Sequence, residues 1–517
     1  MNFKQLWVRK PLAQMHGEDS RLNRVIGPVG LTSIGIGAII GSGIFVTTGE
    51  VAARHAGPGV ILSYVVAGFA CALAALCYAE FASMAPSAGS AYSYAYATLG
   101  ELLAWIIGWD LILEYAAAGA IVAVGWSQYL DRLLMALFGF RLPAEITKDP
   151  FSSDGTSYLN LPAAFIMLLV TMVLIRGVRH GTFANSVLVV VKVSVVLFVI
   201  LAGVWFIDPA NWTSISPDAR NVSQHTASNW GLLGSLGLQD LLDPADDAVR
   251  RPFLPYGVSG VMLGAAMVFF AYLGFDTVST HAEEARRPRR DVPFGILASL
   301  IICTVLYIGV SAVLTGMEPY HEIDPEASVA SAFARKEGMF PRMATAIIAI
   351  GALAGMTSVL LVTFQGQARI FLAMANDRLL PPRVFGTIHP RFRTPYLSTA
   401  ITGGIVAIVA ALTPAEDLGN LVCIGTLMAF AVVCAAVLVL RVARPDVERP
   451  FRCPGVWLIA PLGIVVNVGM MLFLPVETWL RLVIWLAIGL VIYFAYSMRR
   501  SRLRNGVVPT AESVNPA

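Results

Sequence analysis

Long runs of apolar residues dominate the sequence. Helices of a soluble core need a polar face, whereas a helix that crosses a bilayer needs about 20 consecutive apolar residues. Several stretches of this length contain no Asp, Glu, Lys or Arg: residues 25–49, 252–275, 292–317, 343–368, 394–415, 418–440 and 453–476. The pattern therefore predicts an all-α integral membrane protein.

Hydropathy and charge together predict about twelve transmembrane helices. Their expected bounds are 26–54, 58–84, 98–130, 160–177, 181–207, 256–281, 292–317, 340–374, 396–413, 416–440, 455–475 and 479–498. With both termini in the cytoplasm, the inner segments hold more than twice as many Lys and Arg residues as the outer ones. Because cytoplasmic loops carry an excess of these residues, the distribution predicts a multi-pass protein of the cell membrane with an even number of spans.

The composition excludes several other classes of protein. Only 13% of the residues are charged and the net charge is +3, so nothing indicates nucleic-acid binding. The six cysteines form no CxxC pair, and we expect neither a disulfide framework nor a metal site. The sequence contains no clustered nucleophile, acid pair or metal set that would indicate an enzyme, and we expect no cofactor.

Two predicted spans contain a glycine near mid-depth. The first span carries Gly41–Gly43 (Gly-Ser-Gly), and the sixth carries Phe269–Asp276 (Phe-Phe-Ala-Tyr-Leu-Gly-Phe-Asp). Glycine-interrupted segments at matching places in two halves of a chain are typical of transporter binding sites. Gly37 and Gly41 also form a GxxxG pair, so close helix packing is the alternative interpretation.

An interrupted helix in a membrane exposes peptide groups that a ligand can use. Unpaired N–H and C=O groups are costly in hydrocarbon, and they are tolerated where they line a cavity or meet a ligand. Freed N–H groups at a half-helix N-terminus attract a carboxylate, and freed carbonyls at a half-helix C-terminus attract an ammonium. Two such breaks facing each other would fit a zwitterion.

Several longer motifs resemble the amino acid–polyamine–organocation superfamily, and within it the bacterial branch of the cationic amino acid transporter family. The matching stretches are Gly35–Gly49, Tyr78–Tyr94, Gly108–Tyr115, Phe270–Asp276 and Gly366–Met374. The resemblance implies a LeuT-like fold of five plus five helices in an inverted repeat, with helices 1 and 6 broken, followed by two further spans. Members of the family carry amino acids, some coupled to protons and others as facilitators or exchangers.

The resemblance also implies a division of the chain. The expected segments are a cytoplasmic N-terminal segment (1–25), a first repeat (26–207), an extracellular loop (208–255), a second repeat (256–440), two final spans (455–498) and a cytoplasmic tail (499–517). The loop is larger than in the compact bacterial pattern, and it either caps the outer mouth or simply connects the repeats.

By analogy with the family, we expect both breaks to bind the substrate. Amides around Ser42, Gly43 and Ile44 would meet its carboxylate, and Phe270 would act as an outer lid unless it only packs in the core. Carbonyls near both breaks would meet its ammonium. The full expected set is Ile39, Gly41, Ser42, Gly43, Ile44, Phe270, Ala271, Leu273, Gly274 and Met356.

Lys192 is the clearest charge inside a predicted span. It lies eleven residues from Gly181, which places it roughly 16 Å deep in a bilayer core of about 30 Å. Desolvation disfavours a charged ammonium, so a buried lysine can exchange a proton near neutral pH. Lys192 matches the lysine of the family's proton-coupled members. We therefore expect it to carry the proton and, when protonated, to bind carbonyls near Gly41 and Ser42. The hydroxyls of Thr357 and Ser358 would complete this site.

Glu114 is a second intramembrane charge, and Asp110 lies one turn before it on the same face. Glu114 would serve as a counter-ion for Lys192, as a proton relay, or as a neutral packing acid. If Glu114 were a permanent counter-ion, Lys192 would be purely structural.

Other charges have both structural and functional interpretations. Asp276 would either cap the inner half of span six or act as a gate charge. Glu80 and Arg369 lie near inner span ends, where a gate ion pair and interface anchoring fit equally well. The run 286–290 (Arg-Arg-Pro-Arg-Arg) is a topology determinant and a candidate lipid-headgroup contact.

The sequence thus favours proton-coupled symport of neutral, alanine-like L-amino acids by alternating access. Met356 favours neutral substrates because a bulky thioether would shorten the pocket. The alternatives are a facilitator or exchanger of arginine and lysine, and an amino-acid sensor that does not transport. The expected partners are the free amino acid, protons and membrane lipid.

Overall fold

The computed structural model describes residues 8–11, 26–84, 89–151, 157–177, 181–219, 231–236, 251–281 and 284–504, with backbone only for 181–186. The described residues form an all-helical fold, and 78% of them are helical. In the described part of the chain, the only β-type pairing outside helices is an isolated bridge between Ile26 and Ala285. Most of the predicted N-terminal segment, outer loop and C-terminal tail lie outside the described residues.

Most of the longer α-helices follow the apolar runs of the sequence, whereas Ser90–Thr98 and Ser328–Ala334 lie between predicted spans. The longer helices are α1 (Pro28–Ile39), α2 (Val60–Met84), α3 (Ser90–Thr98), α4 (Glu101–Phe138), α5 (Leu161–Arg176), α6 (Gly181–Gly203), α7 (Gly257–Val268), α8 (Pro288–Met317), α9 (Ser328–Ala334), α10 (Met339–Asn376), α11 (Tyr396–Leu412), α12 (Ala415–Ala443), α13 (Val456–Met471) and α14 (Val476–Ile492).

Eight helical stretches among the described residues are long and apolar enough to cross a membrane, judged by length and composition. They are Gly43–Met84, Glu101–Phe138, Val187–Phe206, Gly257–Thr280, Pro288–Met317, Met339–Asn376, Ala415–Ala443 and Val476–Arg500. Four shorter apolar helices accompany them: α1, α5, α11 and α13. The prediction of an all-α integral membrane protein is therefore confirmed at this level.

Gly57 divides the longest of these stretches into two helical segments. Its φ is 60°, a backbone conformation that favours glycine. A Cβ atom at this position would also lie 2.4 Å from Cγ of Pro255. The chain therefore turns here, between the helical segment that ends at Ala56 and α2, close to the boundary that the sequence predicts.

α4 differs most from its predicted bounds, because it continues to Phe138 rather than ending near residue 130. Its last residues are largely exposed, and they carry the helix past Asp131 and Arg132 through a further apolar segment, 133–138. The helix ends at Gly139, which has φ 68° and donates its N–H to the carbonyl of Met135. This left-handed residue is a common helix terminator, and apolarity alone does not reveal it.

The bundle surface carries many exposed large apolar side chains. Phe165, Ile301, Val305, Leu458 and Val491 are each more than half exposed. Such continuous apolar surface is unusual for a soluble monomer and fits contact with lipid. Inside the bundle, α1 packs against α6, α8 and α10, which places the first predicted break at the centre of the fold.

Candidate functional site

The first predicted break is present at the predicted residues. α1 ends at Ile39, and Ile40 adopts an extended conformation with φ −74° and ψ 103°. Helical backbone resumes as a π-helix, Gly43–Thr47. The regular pattern of backbone hydrogen bonds is therefore interrupted around Gly41, which leaves carbonyls of the last α1 turn without helical partners.

The second predicted break is also present. α7 ends at Val268 and continues as one 3₁₀ turn, Phe269–Tyr272. Leu273 is extended, with φ −55° and ψ 133°, and Gly274 has φ 116°. Because L-residues rarely adopt this φ, Gly274 supplies a backbone conformation that other residues would adopt only under strain.

The two breaks touch each other through backbone atoms. A Cβ atom on Gly43 would lie 2.4 Å from Cα of Ala271. A Cβ atom on Gly274 would lie 2.8 Å from the carbonyl carbon and oxygen of Ala38. Glycine is therefore needed at both positions for close approach, so the packing and the break interpretations both apply here.

Lys192 bonds directly to the first break. Its side chain is fully buried, and Nζ donates to the carbonyl oxygens of Gly37 at 2.5 Å and Ile40 at 3.1 Å. These carbonyls lie just before the expected Gly41 and Ser42. Glu114 makes no ion pair with Lys192, so the two do not form the permanent pair that was one interpretation of the sequence.

Hydroxyl groups from neighbouring helices approach further carbonyls at the two breaks. The Tyr307 hydroxyl on α8 lies 2.9 Å from the Ile39 carbonyl oxygen and 2.8 Å from that of Ala271. The Tyr64 hydroxyl lies 3.2 Å from the Gly43 carbonyl oxygen. A hydroxyl has one hydrogen to donate, so Tyr307 can satisfy only one of its two carbonyls at a time.

Sequence reasoning did not identify Tyr307. A tyrosine inside an otherwise apolar span was the available signal, since a buried phenol usually finds a hydrogen-bond partner. The signal does not say which partner, because the carbonyls of Ile39 and Ala271 lie far away in the sequence. Two of the carbonyls expected to meet a substrate ammonium are thus already joined by one side chain.

A small space remains between the breaks. Its volume is about 10 Å³, too little for an amino acid, so the site is closed in this structure. The residues that line it are Ala38, Ile39, Gly41, Ser42, Gly43, Ala118, Val122, Phe270, Leu273, Val359 and Thr363. The Ser42 hydroxyl is buried and has no hydrogen-bond partner among the described residues, as expected of a group that awaits a ligand.

The structure brings most of the expected substrate residues to this space, and it adds others. Ile39, Gly41–Gly43, Phe270 and Leu273 line it, whereas Ile44, Ala271 and Gly274 lie in the adjoining backbone. The additional residues follow helical spacing from predicted ones: Ala118 and Val122 continue the face of Glu114, and Val359 and Thr363 continue the face of Met356.

Met356 is fully buried beside the first break. A Cβ atom on Gly125 would lie 3.3 Å from Cβ of Ser42 and 3.5 Å from Sδ of Met356. The thioether therefore lies in the neighbourhood of Ser42, although Met356 is not among the residues that line the central space. Its neighbour Thr357 donates its hydroxyl to the Leu353 carbonyl at 2.7 Å, within its own helix, and Ser358 is buried.

Phe270 lies between the central space and a second cavity. Its side chain lines this second cavity, of about 20 Å³, together with Val46, Glu50 and Gln128. Beyond this cavity a charged vestibule of about 660 Å³ contains Arg54, which lies 3.4 Å from Glu416 and 4.0 Å from Glu50. The position of Phe270 suits a lid, because one ring separates the two spaces.

Glu114 lies in a buried acidic group with Asp110 and Asp276. Oε2 of Glu114 and both carboxyl oxygens of Asp110 have no hydrogen-bond partner among the described residues. Asp276 accepts a hydrogen bond from the Tyr115 hydroxyl at 3.2 Å, and its side chain makes no capping bond to the short helix Thr277–Thr280.

Glu80 and Arg369 do not pair with each other. Glu80 is fully buried and accepts two hydrogen bonds from Arg441, at 2.9 and 2.7 Å. Arg369 instead binds Glu284 at 2.7 Å. A third pair, Lys10 with Asp377 at 2.7 Å, joins the N-terminal segment to the end of α10. These pairs tie together the ends of several helices.

The site contains peptide groups, hydroxyls and one lysine, and it has no metal-binding arrangement. No group of three or more His, Cys, Asp or Glu residues in the described part of the chain could hold a metal ion. Apolar helices of membrane-spanning length, with two interrupted segments face to face around a small space, are the architecture of a multi-pass membrane transporter.

Comparison with known families also indicates a membrane transporter. The profile of the family described as Amino acid permease matches residues 26–496, and the chain belongs to this family, within the APC superfamily. The family and the relatives below are transporters rather than enzymes. The resemblance identified from the sequence motifs is therefore confirmed.

Three relatives show the range of the family. The chain is 42% identical to the methylthioribose transporter of Bacillus subtilis, over 97% of this chain and 100% of the relative. It is also 42% identical to the branched-chain amino acid permease BcaP of the same organism, over 97% of this chain and 98% of the relative. It is 38% identical to the vacuolar cationic amino acid transporter 2 of Arabidopsis thaliana, over 84% and 62% respectively.

Proposed function

We propose that this protein is a secondary active transporter that carries neutral L-amino acids, alanine-like in size, together with protons by alternating access. The observation that carries the proposal is the direct contact between the two breaks, where Gly43 meets Ala271 around the unpartnered Ser42 hydroxyl. Peptide N–H groups after the first break suit a carboxylate, and the carbonyls that Tyr307 joins suit an ammonium.

The helix pattern supports a topology of twelve spans. α1 and the helical segment that ends at Ala56 would form one span, and α7 with Thr277–Thr280 would form the sixth. The other apolar helices fall within a few residues of the ten remaining predicted intervals. On this topology both termini are cytoplasmic, and five plus five helices form an inverted repeat followed by α13 and α14.

Lys192 is the proposed proton carrier. Its ammonium holds the carbonyls of Gly37 and Ile40, so its protonated form would stabilise the interrupted shape of α1. The titratable group that faces it from α8 is the Cys303 thiol. Loss of the proton would remove two charge-assisted hydrogen bonds and release the first break.

Glu114 keeps two of its three proposed roles, a proton relay and a neutral packing acid. Its neighbours Asp110 and Asp276 are also acidic and buried. Glu114→Gln separates the roles: a packing acid tolerates the neutral isostere, whereas a relay loses proton-driven accumulation.

Met356 supports small neutral substrates because its thioether lies beside Ser42. A relative that is named for branched-chain amino acids agrees with an apolar side-chain pocket. The runner-up, facilitation or exchange of cationic amino acids, is supported by the relative from Arabidopsis thaliana. The site contains no carboxylate among the residues that line its central space.

A second candidate substrate follows from the methylthioribose transporter, which is 42% identical to this chain. Methylthioribose has neither a carboxylate nor an ammonium, so it would use the peptide groups of the breaks through its hydroxyls. The same site would therefore bind charged groups of an amino acid but hydroxyl groups of methylthioribose. An amino-acid sensor that does not transport remains the alternative from another class.

The test is reconstitution of the full chain into liposomes. Labelled alanine, leucine, arginine and methylthioribose are each offered with and without an inward proton gradient. We expect alanine to accumulate and the gradient to drive it. Counterflow that is independent of the gradient would indicate an exchanger or facilitator, and substrate binding without uptake would indicate a sensor.

A further inference from the structure

A positively charged groove lies at the start of α1, at the end of the bundle opposite the vestibule. Its volume is about 410 Å³. The residues that line it are Gly27, Pro28, Arg286, Arg287, Arg290, Asp291 and Phe294. It is separate from the space between the two breaks, and none of the substrate residues lines it.

Two arginines of the groove form no ion pair with the described residues. Arg287 and Arg290 are exposed, and no carboxylate of the described residues forms an ion pair with either guanidinium group. Asp291 is the acidic residue of the lining, but it is buried and accepts the backbone N–H of Arg287 at 3.2 Å. Arg286 adds a further positive charge.

Apolar surface begins directly beside these arginines. Phe294 is 56% exposed within the groove, and Val29 is 76% exposed on the first turn of α1. Further along α8, Ile301 and Val305 are also exposed. Arginine next to a lipid-facing apolar surface is typical of the level where headgroups meet acyl chains.

We propose that this groove binds the headgroup phosphate of an anionic phospholipid, whose acyl chains lie against Phe294 and Val29. Guanidinium groups hold phosphate oxygens in a bidentate geometry, which suits the unpaired Arg287 and Arg290. No side chain caps α1 at Gly27, so amides of its first turn also face the groove. A Cβ atom on Gly27 would meet nothing within 4 Å, which leaves room for the phosphate.

A phospholipid bound here would act on the base of the first broken helix. The Ile26 N–H donates to the Glu284 carbonyl at 3.1 Å, and the Arg286 N–H donates to the Ile26 carbonyl at 2.8 Å. Glu284 in turn pairs with Arg369 on α10 at 2.7 Å. The lipid would therefore stabilise the contact between α1 and α10. This role does not depend on which substrate the protein carries.

The test measures lipid binding to the full chain rather than transport. Detergent-solubilised protein is titrated with phosphatidylglycerol or phosphatidylcholine, and retained lipid is counted by native mass spectrometry. The matched variants are R287Q/R290Q in the groove and R383Q/R444Q at exposed arginines of the same end outside it. Since a surface arginine contributes about fivefold to anionic-lipid binding, the groove variant should bind phosphatidylglycerol roughly 25-fold more weakly.

Each result decides the proposal. The proposal is supported if R287Q/R290Q loses phosphatidylglycerol binding and R383Q/R444Q retains it. It is overturned if both variants lose binding equally. It is also overturned if the unmodified protein retains phosphatidylglycerol and phosphatidylcholine equally. Displacement of phosphatidylglycerol by equimolar inorganic phosphate would show a site for free phosphate instead. If R287Q/R290Q does not fold, R287K/R290K is tested in its place. This variant keeps the positive charges, so it should keep much of the phosphatidylglycerol binding. Complete loss of binding in R287K/R290K would overturn the proposal.

Discussion

Gly43 and Ala271 meet with so little space that a Cβ atom on Gly43 would lie 2.4 Å from Cα of Ala271. The contact joins the two interrupted helical segments at the point where each leaves regular helix. Because neither backbone can retreat without moving its half-helix, this contact sets the distance between the groups that we assign to the carboxylate and the ammonium of the substrate.

Gly43→Ala should therefore abolish most transport. Its methyl group would overlap backbone atoms of Ala271, and overpacking of this kind costs roughly 1–3 kcal/mol. Gly404→Ala is the matched control, because a Cβ atom there would meet nothing within 4 Å. Initial rates of labelled alanine uptake and thermal unfolding of both variants make the comparison. Normal uptake by Gly43→Ala would show that the two breaks need not touch.

Tyr307→Phe should lower stability, and alanine should restore part of the loss. Removal of the hydroxyl takes away the one hydrogen that the buried carbonyls of Ile39 and Ala271 share, which costs about 1–3 kcal/mol. A bound substrate ammonium would replace that donor. Thermal unfolding with and without saturating alanine measures both effects. Tyr158→Phe, at a tyrosine that is 73% exposed, is the control and should change neither. If alanine does not restore any of the lost stability, these carbonyls do not bind the substrate ammonium.

Lys192→Ala should lose the response of uptake to an inward proton gradient. The variant removes the ammonium that holds the carbonyls of Gly37 and Ile40, and with it the proposed proton carrier. Lys336→Ala is a suitable control, since Lys336 also donates to a carbonyl, that of Met317, at 2.9 Å but outside the site. Proteoliposome uptake at several gradients gives the measurement. An unchanged gradient dependence in Lys192→Ala would exclude this lysine as the coupling group.

Met356→Ser should enlarge the side-chain pocket. The shorter side chain removes the thioether beside Ser42, so uptake of leucine relative to alanine should rise roughly tenfold, the scale of one or more methylene groups in an apolar pocket. Met339→Ser lies on the same helix at an 81% exposed position and should leave selectivity unchanged. Competition by amino acids of increasing length measures the effect, and identical selectivity in both variants would place Met356 away from the substrate.

The apolar runs of the sequence were sufficient to predict nearly all of the helices, because a membrane span must be continuous and apolar along its length. The glycines at 41, 43 and 274 indicated where both breaks lie. An interrupted helix in hydrocarbon leaves peptide groups unpaired, and it is tolerated only where a cavity or a ligand meets those groups. The end of α4 was missed because Asp131 and Arg132 interrupt the apolar run, whereas the helix continues through them to Phe138.

The partners of the site residues could not be predicted in the same way. Lys192 was recognisable as a buried charge, but its bonds to Gly37 and Ile40 depend on how α6 and α1 pack. Tyr307 and its two carbonyls are separated by long stretches of sequence, as are Glu80 and Arg441. A single sequence indicates which face of a helix is polar, and the packed bundle decides what that face meets.

The most direct measurement compares alanine with analogues that lack one of its charges. Labelled alanine uptake by the reconstituted protein is challenged with L-alanine, alaninamide, which has no carboxylate, and N-acetylalanine, which has no ammonium. If freed peptide groups at the two breaks hold both charges, each analogue should compete at least roughly tenfold more weakly than alanine, the scale of a hydrogen bond to a charged group. Equal competition by either analogue would contradict recognition of a zwitterion by these two breaks.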